Sequence, residues 1–151
     1  MAVDRDQLYD LFESDILGVI SRVGSDGAPQ SAVVGFTPTP KRPDGDFKLI
    51  ISTSKHSRKV ANVAADNRVS FVIFSEQKRH TAQIEGTARL IESGDLGEYR
   101  QLIIDRNPVS ATFIDKPDQI HIEITPHWVR YSDVSVMPWA ISEETLLEAT
   151  S

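Results

Sequence analysis

The sequence predicts a mainly β protein: six strands in an antiparallel sheet closed into a small barrel, with short helices over its ends. Three observations predict it. Stretches rich in Ile and Val recur along the chain and are mostly joined by hairpin signals, of which Ser25-Asp26-Gly27 is the clearest, because Asp-Gly favours the positive φ of a tight turn. Helical periodicity is confined to short stretches between or beside those strands. Strands and helices do not alternate regularly, and neither GxGxxG nor a P-loop motif occurs, which argues against a doubly wound parallel sheet.

Asp4 to Glu13 reads as the first helix, with Asp4 and Gln7 as a capping pair and Leu8, Leu11 and Phe12 as its apolar stripe. Ile16 to Val23 is the first strand, and Pro29 to Phe36 returns as the second. Thr37 to Asp46, TPTPKRPDGD, reads as an exposed hairpin loop, since each Pro removes a backbone donor. Phe47 to Ser52 is the third strand. Ser57 to Ala65 is a helix with Val60, Val63 and Ala64 on one face, and Val69 to Phe74 is the fourth strand. Thr81 to Ile91 is a long fifth strand in which Gly86 marks a bulge or a close backbone approach. Asp95 to Asp105 reads as a helix capped by Asp95 with Glu98 and ended by Asn107-Pro108. Gln119 to Tyr131 alternates Ile120, Ile122 and Ile124 with His121, Glu123 and Thr125, the period of a half-buried strand. Ser142 to Ala149 reads as a short terminal helix.

The 151 residues are expected to form one domain, and 40% apolar residues suffice for a core. No Cys means no disulfide, no thiolate chemistry and no Cys-ligated metal. MAVDRDQLYDLF is acidic and amphipathic, unlike a secretory signal, and no apolar run approaches the roughly 20 residues that span a bilayer. A soluble, cytoplasmic protein without membrane partners is the expectation. A formal net charge of −6 also argues against a nucleic-acid binder, which shows a basic face.

Against that acidic background one stretch is basic. Thr53, Ser54, Lys55, His56, Ser57, Arg58 and Lys59 fill the loop before a helix and its first turn. A helix N-terminus leaves N–H groups unpaired and carries partial positive charge, Ser57 is well placed as N-cap, and two cations follow it. That combination suits an anion, most often a phosphate. A basic cluster is otherwise an ordinary solvated face; Arg68, Lys78 and Arg79 are candidates to extend this one. The histidines are His56, His80, His121 and His127. His121 and Glu123 share a strand face with His127 nearby, which a metal or haem could use, although isolated surface histidines need no ligand; no metal site is assigned. Trp128 and Trp139 pack in a core or interface, or stack on a flat ring at a pocket edge. No nucleophile elbow occurs, and no catalytic residue is named.

The strand LGVISRV, the hairpin GSDGAPQSAVVGF, the segment STSKHSRKVANVAADNRVSF and the strand AQIEGTARLI together resemble the pyridoxamine 5′-phosphate oxidase-like superfamily, the FMN-binding split barrels. The resemblance runs from about Ile16 to Tyr131. Its most specific part is the family's Thr-x-x-x-Ser-Arg-Lys, followed by an apolar helix and Asn-Pro-x-Val. Thr53, Ser57, Arg58, Lys59 and Asn67-Arg68-Val69 match it, without the usual Pro.

The resemblance implies a six-stranded antiparallel split barrel that binds FMN, with Thr53, Ser54, Ser57, Arg58 and Lys59 on the cofactor phosphate. Val34, Gly35 and Phe36 would border the isoalloxazine ring, and Thr81 and Gln83 would supply a polar contact near it. It also implies a homodimer with two cofactor sites between subunits, so that Trp128, Arg130 or Trp139 would reach the other subunit's flavin. Ala32 and Thr37 stand about where true pyridoxamine-phosphate oxidases carry an Arg and a Lys, and their C-terminal Arg-Leu-His-Asp-Arg motif is absent. The resemblance therefore implies a flavin-dependent oxidoreductase acting on an unidentified small molecule, and it supports the cofactor better than a B6 substrate. Its alternatives are a reductase using the deazaflavin F420 on the same fold, a non-catalytic flavin-binding stress or sensor protein and, last, a haem binder.

Overall fold

The structure, a computed structural model, describes residues 2–146. Helix α1 (Arg5–Ser14) starts where Asp4 Oδ1 accepts hydrogen bonds from the N–H groups of Asp6 and Gln7, at 3.0 and 3.1 Å. It buries Leu8, Leu11 and Phe12, and the Phe12 ring meets Phe36, Phe47 and Phe71 in the core. The strands are β1 (Leu17–Val23), β2 (Pro29–Gly35), β3 (Thr37–Pro38), β4 (Leu49–Ser54), β5 (Arg68–Ser75), β6 (His80–Glu92), β7 (Gln119–Asp133) and β8 (Ala140–Thr145). Helix α2 (Arg58–Ala65) joins β4 to β5, and α3 (Tyr99–Arg106) lies between β6 and β7.

All eight strands belong to one antiparallel sheet in the order β2-β1-β5-β6-β7-β4-β3, with β8 added to β7. The sheet curls until β2 approaches β4 without pairing to it. This is the split of the barrel. Its two lips are the free edge of β2, which pairs only with β1, and the part of β4 beyond its short pairing with β3. Ile20, Leu49, Ile51, Phe71, Ile84, Ile122 and Ile124 fill the inside. Ile50, Ile91, Leu96, Ile103 and Ile114 form a second cluster under α3. Gly86 sits at a register shift between β6 and β7, and a Cβ there would lie 2.2 Å from the Thr125 carbonyl oxygen. The close approach expected at this glycine is real.

The sheet has eight strands among the described residues, where six were expected; β3 and β8 are the additions. Three local expectations are also corrected. Thr37 to Asp46 is not wholly an exposed loop: Thr37 and Pro38 form β3 against β4, and Thr39 exchanges hydrogen bonds with Lys48. A proline is tolerated there because β3 ends the sheet and needs no donor on its outer side. The helix expected from Asp95 starts only at Tyr99, after a 3-10 turn over Ser93–Asp95, and Glu98 makes no side-chain cap. Gly97 in between takes φ 56°, which interrupts the helix. Finally, Ser142 to Thr145 lie in β8, not in a helix, because the second half of β7 offers a free edge that they pair with. The last residues of that expected helix, from position 147, lie outside the described residues.

Candidate cofactor site

Helix α2 lies over one end of the barrel against β1 and β6, with Val63 reaching the core. Asn62 Nδ2 ties it to β2 through a 2.8 Å bond to Gln30 Oε1. The preceding loop is fixed by its own polar groups. Ser57 caps α2, its Oγ accepting from the Val60 N–H at 3.4 Å and from the Thr53 hydroxyl at 3.4 Å. Ser54 Oγ accepts from the His56 N–H at 3.2 Å, and the Lys55 N–H donates to the Asp118 carbonyl at 2.7 Å. Thr53, Ser54, Ser57, Arg58 and Lys59 are therefore brought together around one helix start.

The structure adds a residue that was not named from the sequence. Arg22 on β1 is only 7% exposed, and its Nε and Nη1 are buried without a hydrogen-bond partner. Burial and then the charge of Arg58 push its pKa down; burial and then the charge of Arg22 do the same to Lys59. Among the described residues none of the three cations has an ion pair. The signal was present in the strand: Arg22 is in phase with Gly18 and Ile20, on the interior side, where a charge is out of place. The other cations considered fall away. Lys55 pairs with Glu92 at 2.8 Å and Arg68 with Asp66 at 2.7 Å. Lys78 and Arg79 sit in the β5–β6 turn, at the far end of β5 from α2.

The remaining nominated residues divide. Val34 faces inward beside the core, and Gly35 lies on the free edge of β2. The Phe36 ring is buried, stacked under the Arg106 guanidinium, and its carbonyl accepts from Arg106 Nε at 2.7 Å. It can border a ligand only through its backbone. Next to Gly35 and Phe36 a cavity of about 320 Å³ opens, with Ile50, Ser52 and Arg106 in its wall. Ser52 Oγ lies 2.9 Å from His121 Nδ1, and Ser93 Oγ lies 3.0 Å from His121 Nε2. His121, expected on a strand surface, is fully buried, because the second core cluster covers that face of β7. Glu123 is buried too, held by Arg89. Thr81, Gln83 and Trp128 share the outer face of the sheet, since Ala82, Ile84 and Val129 point inward. Within one chain they lie on the opposite side of the sheet from Arg22.

A family model described as pyridoxamine 5′-phosphate oxidase matches residues 5–133 of this chain. The chain belongs to that family. Among solved structures, the oxidase-family chain resembles a heme binding protein from Mycobacterium smegmatis, with TM-score 0.74 and 16% identity over 96% of this chain and 59% of that one. It therefore spans a little over half the length of that relative. A pyridoxamine 5′-phosphate oxidase-related, FMN binding protein from Nostoc punctiforme PCC 73102 gives TM-score 0.70 at 13% identity, covering 97% of this chain and all of that one (100%). An F420 reductase gives TM-score 0.63 at 22% identity, covering 80% and 93% of the two chains. At these identities the likeness is one of fold. A sequence search of curated proteins gives no match. The oxidase-family fold explains the curled sheet with its split. Among the described residues it includes no helix long and apolar enough to cross a membrane.

Proposed function

We propose that this protein binds FMN at the start of α2 and acts as a flavin-dependent oxidoreductase on a small molecule. One observation carries the reading. Three cations meet at a capped helix N-terminus, none of them in an ion pair among the described residues, and Arg22 is buried with two donor atoms unmatched there. Such a cluster is costly by itself and is relieved by an incoming phosphate. Arg58, Lys59 and the free N–H groups of the first turn of α2 hold that phosphate, with Thr53, Ser54 and Ser57 shaping the loop. The free edge of β2 at Val34 and Gly35 presents backbone donors and acceptors along the split, where a flat heterocycle can be aligned. Bound FMN would supply hydride and electron transfer at its ring. The chain's own part is to grip the phosphate and orient the ring.

The proposal includes a homodimer with two sites between subunits. Thr81, Gln83 and Trp128 face outward on a surface that also exposes Leu17, Val33, Val72 and Phe74. A second copy against that surface would bring these residues to its partner's cofactor and cover the apolar patch.

The test is a pair of double substitutions read by flavin-fluorescence titration. Arg58→Ala with Lys59→Ala should weaken FMN binding about a hundredfold or more, since each charge-assisted hydrogen bond contributes about 1.5–3 kcal/mol. Lys41→Ala with Arg42→Ala, in the β3–β4 connection, should leave it within a few fold. Equal losses would show that the basic cluster does not hold the phosphate.

A further inference from the structure

Arg22 says more than that an anion binds. Its side chain enters from β1, beside β2 and on the same inner face as Ala32: Ile20 pairs with Ala32 and Arg22 with Gln30. Ala32 stands about where the family resemblance would place an arginine. We infer that Arg22 is a third phosphate-binding cation, supplied from β1 in place of that residue, and that it selects a terminal phosphomonoester, the group FMN carries, over the phosphodiester of F420. This rests on the reading that the site takes a flavin-type cofactor.

Charge and geometry both support the selection. A phosphomonoester has close to two negative charges near neutral pH and three terminal oxygens. A diester has one charge and two free oxygens. Three cations around one group are matched far better by the first, and the first turn of α2 adds N–H donors that a diester's two oxygens would have to share. The site is also closed on one side. Asn62 bridges α2 to Gln30 on β2, and at Gly24 a Cβ would lie 2.5 Å from Gln30 Nε2. A chain continuing beyond the phosphate would have to leave along the groove of about 400 Å³ lined by Asp26, Gln30, Arg58 and Asn62. There the Asp26 carboxylate would face the anionic oligoglutamate tail of F420. A phosphate that ends the ligand meets neither obstacle.

The experiment titrates wild type, Arg22→Met and Arg22→Lys with FMN, riboflavin and F420, and measures the melting temperature of each ligand-free protein. Arg22→Met should bind FMN about 10- to 100-fold more weakly, with riboflavin unchanged within about threefold. F420 binding, weaker than FMN binding in wild type, should fall by much less. Arg22→Lys should keep part of the FMN affinity. The ligand-free Met variant should melt higher than wild type, because a buried unmatched charge is gone. A structural arginine would give the opposite sign. Unchanged FMN binding in Arg22→Met, equal losses for FMN and riboflavin, equal losses for FMN and F420, or a lowered melting temperature would each overturn the inference while leaving an FMN-binding wild type intact. A wild type that binds neither FMN nor F420 overturns the cofactor reading itself.

Discussion

His121 shows how a single residue trades titration for structure. Its ring is buried between Ser52 and Ser93, and burial pushes its pKa below the usual 6.5, against a smaller upward pull from Glu92. The native state therefore prefers the neutral ring. Between the lowered native value and about 6.5 the unfolded chain binds more protons, so stability is full above 6.5 and is lost as pH falls below it. Urea midpoints measured from pH 7.5 to 5 should decline from about 6.5 downward, and His121→Asn should flatten that decline at the cost of lower stability at pH 7.5. An identical slope in the variant would show that another group sets it. Glu123, on the same face of β7, stays ionised for the converse reason. Burial would raise its pKa, but hydrogen bonds from Arg89 and Tyr99 and the charge of Lys48 outweigh this and lower it. Tyr99 is in turn pushed up to about 12, first by burial and then by that carboxylate. Neither residue's burial was legible beforehand, because the strand's alternation places them on the polar side of β7. Only the packing of α3 and its flanking turns over that side of β7 and its neighbour β4 makes it a second core.

Among the elements, α2 was the most legible, because its signals are local: a Ser at the N-cap, two cations in the first turn and Val63 facing in. Ser57→Ala should lower stability by about 1 kcal/mol and weaken FMN binding more than its stability cost implies, since the cap also shapes the anion site. A melting curve and a titration of the same variant check both parts; no loss of binding would make Ser57 a cap only. Gly86 was legible for a similar reason, as a glycine inside a long strand. Gly86→Val should cost several kcal/mol or prevent folding, beyond the usual 1–3 kcal/mol or so of overpacking, because the atom it meets is backbone at 2.2 Å. A variant as stable as wild type would mean that β6 and β7 can separate there. β3 and β8 were not legible, since both exist through their partners: β3 by closing onto β4, and β8 by taking the free edge of the second half of β7. Glu143 and Glu144 have no strand preference of their own.

For the whole molecule, the sheet has one face filled by the core, while on the other face, beyond the part under α3, an apolar patch lies uncovered among the described residues. Val33 is 68% exposed, in register with Val19 and Val72 across three strands. If that face joins two copies, Val33→Asp with Val72→Asp should give a monomer by analytical ultracentrifugation and weaken FMN binding, because Thr81, Gln83 and Trp128 would no longer reach a partner's site. A wild type that is monomeric and binds FMN fully would contradict this. The barrel itself was legible from hairpins and alternation, and the phosphate end from a contiguous motif. Arg22 was legible only as a charge in phase with the interior side of β1; its link to the phosphate end was not, since that depends on α2 being folded over the end of β1. In the proposed complex the cations at α2 hold the phosphate of a flavin. The visible absorption spectrum of the purified protein, after incubation with FMN and gel filtration, tests this grip most directly. Oxidised-flavin bands should co-elute with the protein and be absent when riboflavin replaces FMN. A colourless protein, or one that retains riboflavin as well as FMN, would contradict it.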